Sequence, residues 1–99
     1  MHDIMIVDDE AIEASVIGQI LMDRGFDVCI QNRPRSAMDL AQKHSFDLII
    51  SDLKMPEMDG LELLQSLSRI DPDVTVIIMR QLPLSTFIDV TEKFASLFA

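Results

Sequence analysis

Three aspartates are placed where they could do chemistry together. "IMIVDDE", residues 4–10, runs four apolar residues into Asp8 and Asp9, and "FDLIISD", residues 46–52, runs a second apolar stretch into Asp52. Continuous apolar runs of this length read as strands buried on both faces. Each run therefore delivers a carboxylate to the carboxyl end of a buried strand. Open parallel α/β sheets hold their ligands outside that end. If the first and third strands are neighbours, the three carboxylates meet in one shallow cleft. Like charges so close raise one another's pKa and repel. Mg²⁺ relieves this, being a hard ion that takes carboxylate oxygens and keeps several waters. Each piece has a plainer reading. An Asp-Asp pair after a strand can be solvated or cap a helix, and an Asp before a Pro- and Gly-marked turn can be a turn residue. Their joint placement on two adjacent strands points to a site.

The elements that position these acids follow from periodicity. After the strand at 4–7, "DDEAIEASVIGQILMDRG" places Ile12, Val16, Ile17, Ile20 and Leu21 at helical spacing, and Gly25 is a good stop. "FDVCIQ" is a short strand. "RPRSAMDLAQKH" is a second helix with a modest apolar face of Ala37, Met38, Leu40 and Ala41. "FDLIIS" is the third strand, "MDGLELLQSLSRI" a third helix facing inward with Leu61, Leu64, Leu67 and Ile70, and "VTVIIM" a fourth strand after the "DPD" break. This alternation makes right-handed crossovers and a doubly wound parallel α/β sheet with helices on both faces. Residues 1–79 form this core. Residues 80–99 are a distinct tail, read as one more helix with a stripe of Phe87, Val90 (or Thr91), Phe94 and Leu97, capped by Ser85 or Thr86.

Composition narrows the function. A chain of 99 residues with 48% apolar and 25% charged residues is one globular domain. The net charge of −9 argues against a direct grip on nucleic acid, which needs clustered Lys and Arg. With no Trp or Tyr, Phe and the seven Met fill the large core sites. Met55 and Met58 are read the same way or as ordinary surface, and His2 and His44 as surface residues without metal spacing. Cys29 has no internal partner, so a reducing, cytoplasmic compartment fits it, and it reads as a small buried core residue. The N-terminus lacks the basic and apolar regions of a signal peptide, and no run is long enough for a membrane span.

At "IMIVDDE", "DLIISDLKMPEMDGLELL" (47–64) and "DPDVTVIIM" (71–79) the chain closely resembles a receiver domain of two-component response regulators. The likeness covers residues 3–79. It implies a flavodoxin-like sheet of order 2-1-3-4. It also implies that Asp52 accepts a phosphoryl group from a histidine kinase or histidine phosphotransfer protein. Asp8 and Asp9 match the acidic pair that holds Mg²⁺, Asp9 directly and Asp8 directly or through water. The backbone carbonyl of Lys54 matches a third protein ligand, and Asp52 itself completes the set. Pro56 and Gly60 match the turn before the third helix, where Pro fixes φ and Gly permits unusual angles; simple loop punctuation explains both equally well. These roles agree with the chemistry, since a carboxylate can attack phosphorus and a metal offsets charge on the phosphoryl oxygens.

The chain departs from the family after the fourth strand. Arg80 stands where receivers place a Ser or Thr that meets the phosphoryl group. A guanidinium can contact phosphoryl oxygens, or Arg80 can point to solvent or pair with nearby acids. The expected fifth strand ending in Lys is missing or replaced by the helical tail, a deficit of roughly 20–30 residues against a full strand–helix unit. Three functions follow: a phosphoacceptor receiver, not an enzyme in the hydrolase sense; a degenerate receiver serving as an assembly or dimerisation module; or a receiver remnant altered after residue 79. Without a fifth strand, "VTVIIM" becomes an apolar open edge. It is expected to be covered in a homodimer formed through the fourth strand and the tail.

Overall fold

The computed structural model describes residues 3–79, together with Asp89 and Lys93. Four strands and three helices alternate: β1 (Asp3–Val7), α1 (Ala11–Asp23), β2 (Asp27–Gln31), α2 (Pro34–Lys43), β3 (Leu48–Asp52), α3 (Gly60–Ile70) and β4 (Thr75–Met79). All pairings are parallel and the order is β2-β1-β3-β4, the flavodoxin-like arrangement expected. β1 and β3 are central, and their apolar runs are buried from end to end. Side chains alternate across the sheet with period two. Ile4, Ile6, Leu48 and Ile50 face α1 and pack with Ala14, Ile17, Leu21, Phe26 and Met79. Met5, Val7 and Ile49 face the other way onto Ala37 of α2 and Leu63 and Leu67 of α3. Full burial of each of the larger of these side chains contributes about 1.5–3 kcal/mol before entropy is counted. No helix among the described residues is long and apolar enough to cross a membrane.

Two helices are rolled differently from the expectation. In α1, Ile17 and Leu21 are buried and Ile20 is half-buried, but Ile12 is 84% exposed and Val16 is also exposed. Ala14 and Gly18 take the inner rows instead. A Cβ on Gly18 would lie 3.2 Å from Ile30 Cδ1, so small residues let this helix lie close on the sheet. In α3 the buried face is Gly60, Leu63 and Leu67, while Leu61 is exposed and Leu64 and Ile70 are half-buried. The reason is Gly60. Its N–H donates to Leu53 O at 2.7 Å, and a Cβ there would meet Asp52 O at 2.5 Å and Leu53 Cα at 3.1 Å. Its backbone φ is not positive, so the position requires close approach rather than unusual angles. That contact fixes the rotation of α3 and turns Leu61 out.

Cys29 is half-buried rather than a core residue, because β2 is an edge strand; its Sγ accepts from Gln31 Nε2 at 3.4 Å. Met55 and Met58 pack partly buried against the α2–α3 core, and His44 is exposed. Among the described residues β4 is the other outer strand, with Val76, Ile77 and Ile78 half-buried. Asp89 and Lys93 are helical and exposed. Arg80, the stripe Phe87, Val90, Phe94 and Leu97, and the cap at Ser85 or Thr86 lie outside the described residues.

Gly60→Ala should therefore cost about 1–3 kcal/mol, since the clash is with backbone that cannot move aside cheaply. A thermal melt checks this: in a domain this size each kcal/mol lowers the midpoint by about 4–8 °C. A midpoint equal to that of the parent contradicts the close-approach account.

Candidate functional site

The β1–β2 ladder runs one rung past the strand ends, with Asp8 N–H donating to Gln31 O at 3.0 Å. The chain of β2 then turns away, and the side chain of Asn32 takes over, its Nδ2 donating to Asp8 O at 3.0 Å. Asp8 Oδ1 accepts from Glu10 N–H at 2.9 Å, a local turn that sends the chain into α1. Three of the polar groups of Asp8 are thus committed. The residue is 0% exposed, and its remaining oxygen, Oδ2, is buried with no hydrogen-bond partner.

Asp52 ends β3 and is half-buried. The backbone around it is tied down: Ser51 Oγ donates to Asp52 O at 3.0 Å, Leu53 N–H donates to Met79 O at 3.0 Å, and Gly60 of α3 lies close against the Asp52 carbonyl while its own N–H donates to Leu53 O. Asp59 caps α3, its Oδ1 accepting from Glu62 N–H at 2.8 Å. Between Asp52 and the helix, Met58 N–H donates to Pro56 O at 2.9 Å around Glu57, whose φ is 75°. A left-handed φ on a non-glycine residue costs on the order of 1–2 kcal/mol. Glu57 Oε2 meets Arg35 Nε at 3.3 Å, an exposed pair that adds little. Lys54 lies exposed in this loop.

One carboxylate oxygen from each of Asp8, Glu13 and Asp52 lies within 4.8 Å of the other two. The sheet register accounts for Asp8 and Asp52, which extend adjacent parallel strands at the same level. Glu13 comes from the first turn of α1 and did not stand out in the sequence, where an acid in a first helical turn is ordinary dipole complementarity. Its spacing after the acidic pair, one helical turn into the helix, is the signal that could have found it. Asp9 is exposed and outside this group.

The electrostatics match the geometry. Asp8 is raised above the ordinary carboxylate range, chiefly by burial; the Glu10 N–H opposes this, and the charges of Asp52, Asp9 and Glu10 add to it. Glu13 is raised too, first by partial desolvation of its carboxyl, then by the charges of Asp8, Asp52 and Glu10, and least by a side-chain hydrogen bond with Asp8 that forms when one of the two carries a proton. When both acids are ionised, carboxylates cannot hydrogen-bond to one another, and Asp8 Oδ2 has no partner in the hydrogen-bond geometry. A buried, orphaned carboxylate oxygen beside two further carboxylates is a donor set that fits a hard divalent cation.

A folded-state pKa raised above the ordinary aspartate value of 3.8 stabilises the cation-free fold fully below that value. The contribution is lost as pH rises through the higher folded value. Asn mimics the protonated acid and keeps the bond from Glu10 N–H. In chelator at neutral pH, Asp8→Asn should melt several degrees above the parent, and melts at successively lower pH should close the gap. A gap that is absent, or that does not change with pH, contradicts the assignment.

Residues 4–87 match the family described as the response regulator receiver domain. Over 70 residues the chain is 43% identical to a probable transcriptional regulator, ycf29, of Porphyra purpurea, covering 71% of this chain and 34% of that protein. It is 38% identical over 77 residues to the chemotaxis protein CheY of Bacillus subtilis, covering 77% of this chain and 64% of that one. The crystal structure of response regulator TrrA from Thermotoga maritima, in complex with Mg²⁺-BeF, superposes with a TM-score of 0.76 at 26% identity, covering 79% of this chain and 68% of that one. The chain thus spans about a third of the algal regulator and less than two thirds of CheY. With the parallel sheet in order β2-β1-β3-β4 and the acids gathered at its carboxyl edge, these matches lead to one conclusion: the chain belongs to the receiver domain family of two-component response regulators.

Proposed function

We propose that this chain is the phosphoacceptor module of a two-component phosphorelay, with Asp52 as the acceptor. The observation that carries the reading is the buried, unpartnered Oδ2 of Asp8 beside the Asp52 carboxylate. The phosphodonor is a phosphohistidine on a sensor histidine kinase or histidine phosphotransfer protein in a reducing, cytoplasmic setting. A carboxylate oxygen of Asp52 attacks phosphorus, and the new O–P bond forms as the P–N bond to imidazole breaks. The bonding pair leaves with the ring nitrogen, which takes up a proton from water. Asp8, Asp52, the Lys54 carbonyl and the neighbouring Asp9 are the residues that would hold Mg²⁺, which when bound offsets charge on the transferring oxygens. Ser51, Leu53 and Gly60 hold the backbone of Asp52, so its carboxylate meets the donor from a fixed position.

The phosphoryl group ends on the chain itself, so the module is a signalling acceptor rather than an enzyme with turnover. The gathered acids favour this reading over a degenerate assembly module. Arg80 follows β4 directly and is proposed as a further contact to the phosphoryl oxygens. Self-association as a homodimer belongs to the same proposal, supported by β4 as an outer strand among the described residues, with half-buried Val76, Ile77 and Ile78.

Incubation with acetyl phosphate and Mg²⁺, followed by intact mass measurement, should show one added phosphoryl group on the parent. Asp52→Asn should show none, and neither should the parent in chelator. Equal labelling of Asp52→Asn contradicts the assignment. For association, sedimentation of the parent should give a dimer and Phe94→Asp a monomer; a parent that is monomeric at high micromolar concentration removes that part of the proposal.

A further inference from the structure

We propose that Asn32 is a positioning residue for phosphoacceptance, its side-chain amide holding the Asp8–Asp9 peptide in the orientation that the acidic pair needs. This rests on the cation-assisted acceptor reading above and adds to it a residue from the far side of the sheet. The register that pairs Val7 with Gln31 puts Asn32 beside Asp8. In a regular parallel ladder Asp8 N–H would donate to Gln31 O, and Asp8 O would accept from the N–H of Arg33. The first bond forms, at 3.0 Å. For the second the chain has already turned, because Arg33 caps α2 and that helix opens on the buried Pro34. The Asn32 amide fills the place, its Nδ2 donating to Asp8 O at 3.0 Å.

What this bond controls follows from peptide geometry. The carbonyl of Asp8 and the N–H of Asp9 lie in one rigid plane, so fixing that oxygen fixes the plane and the direction in which Asp9 leaves the strand. The plane has one anchor on each side: the bond from Asp8 N–H to Gln31 O before it, and the bond from Glu10 N–H to Asp8 Oδ1 after it. Without Asn32 it can rock between the two, and both acids of the pair move with it. Partners that orient metal ligands are typically worth about 10–100-fold in affinity or activity. A plainer account makes Asn32 an end-of-strand residue that satisfies one backbone carbonyl. Asn32 is exposed, so a water would satisfy that carbonyl in its place. A water has no covalent tether to β2, however, and would not hold the oxygen still. Ser36 supplies a comparison within the same turn: its Oγ donates to Arg33 O at 3.0 Å, a bond of the same kind that does not touch Asp8.

The full chain and its Asn32→Ala, Asn32→Leu and Ser36→Ala variants are melted at neutral pH across a Mg²⁺ titration at constant ionic strength. Labelling by acetyl phosphate is followed by intact mass over the same titration. Both Asn32 variants should raise the Mg²⁺ concentration for half-maximal thermal stabilisation about tenfold, with Ser36→Ala staying within about twofold of the parent. The midpoint for labelling should move with the midpoint for melting. A purely structural role predicts instead that the Asn32 and Ser36 variants lose melting temperature alike and keep the parent's Mg²⁺ midpoint, and that result overturns the proposal. So does an Asn32→Leu variant with the parent's midpoint, since Leu is close to Asn in shape and carries no donor. If the parent responds to Mg²⁺ and is labelled while the Asn32 variants match it, the acceptor reading stands and only this inference fails. A parent that ignores Mg²⁺ and takes no label brings down both.

Discussion

A carboxylate at the end of a strand buried on both faces has almost no water to turn to. Asp8 is in that position: four apolar residues of β1 run into it, it is fully buried, and one of its oxygens has no partner. Leaving a charge in such a place costs several kcal/mol even after relaxation. Burial of Ile4, Met5, Ile6 and Val7 is worth on the order of 6–12 kcal/mol before entropy, so the strand can carry the penalty. It does not remove it. The raised pKa of Asp8 expresses the same conflict in protons, and the divalent cation proposed above would resolve it in charge.

Much of the surrounding structure keeps that conflict in place. Asn32 substitutes for the next rung of the ladder and holds the carbonyl of Asp8, so the residue cannot slide out toward solvent. The Glu10 N–H holds one carboxylate oxygen and thereby aims the other. On the neighbouring strand, α3 is seated on the carbonyl of Asp52 through Gly60, where no side chain would fit. The loop between them includes a strained turn at Glu57. The result is two fixed carboxylates side by side, with the exposed Glu13 of the first turn of α1 close to both.

The fold was legible because its strands are unusually plain. The apolar runs at 4–7 and 48–50 could only be central, and the turn signals between them left room for helices alone. Asp8 and Asp52 were legible for the same reason, since they stand where those runs end. Helix rotation was not. In α1 apolar residues occupy both faces, and only the sheet's demand for small Ala14 and Gly18 decides that Ile12 points out. In α3 the contact at Gly60 decides against Leu61. Glu13 was hidden because its approach to Asp8 and Asp52 depends on where the first turn of α1 sits over the sheet, a tertiary fact that no local pattern carries. The half-burial of Cys29 likewise follows from β2 lying at the edge.

The central claim is that the carboxylate of Asp8 is completed by a divalent cation shared with Asp52. Carbonyl-carbon NMR of the aspartate side chains during Mg²⁺ titration tests it most directly. The account predicts saturable shifts at Asp8 and Asp52 with one common midpoint, while the distant exposed acid Asp23 moves only weakly and without saturation. An Asp8 signal that does not respond, or that responds no differently from Asp23, would contradict it.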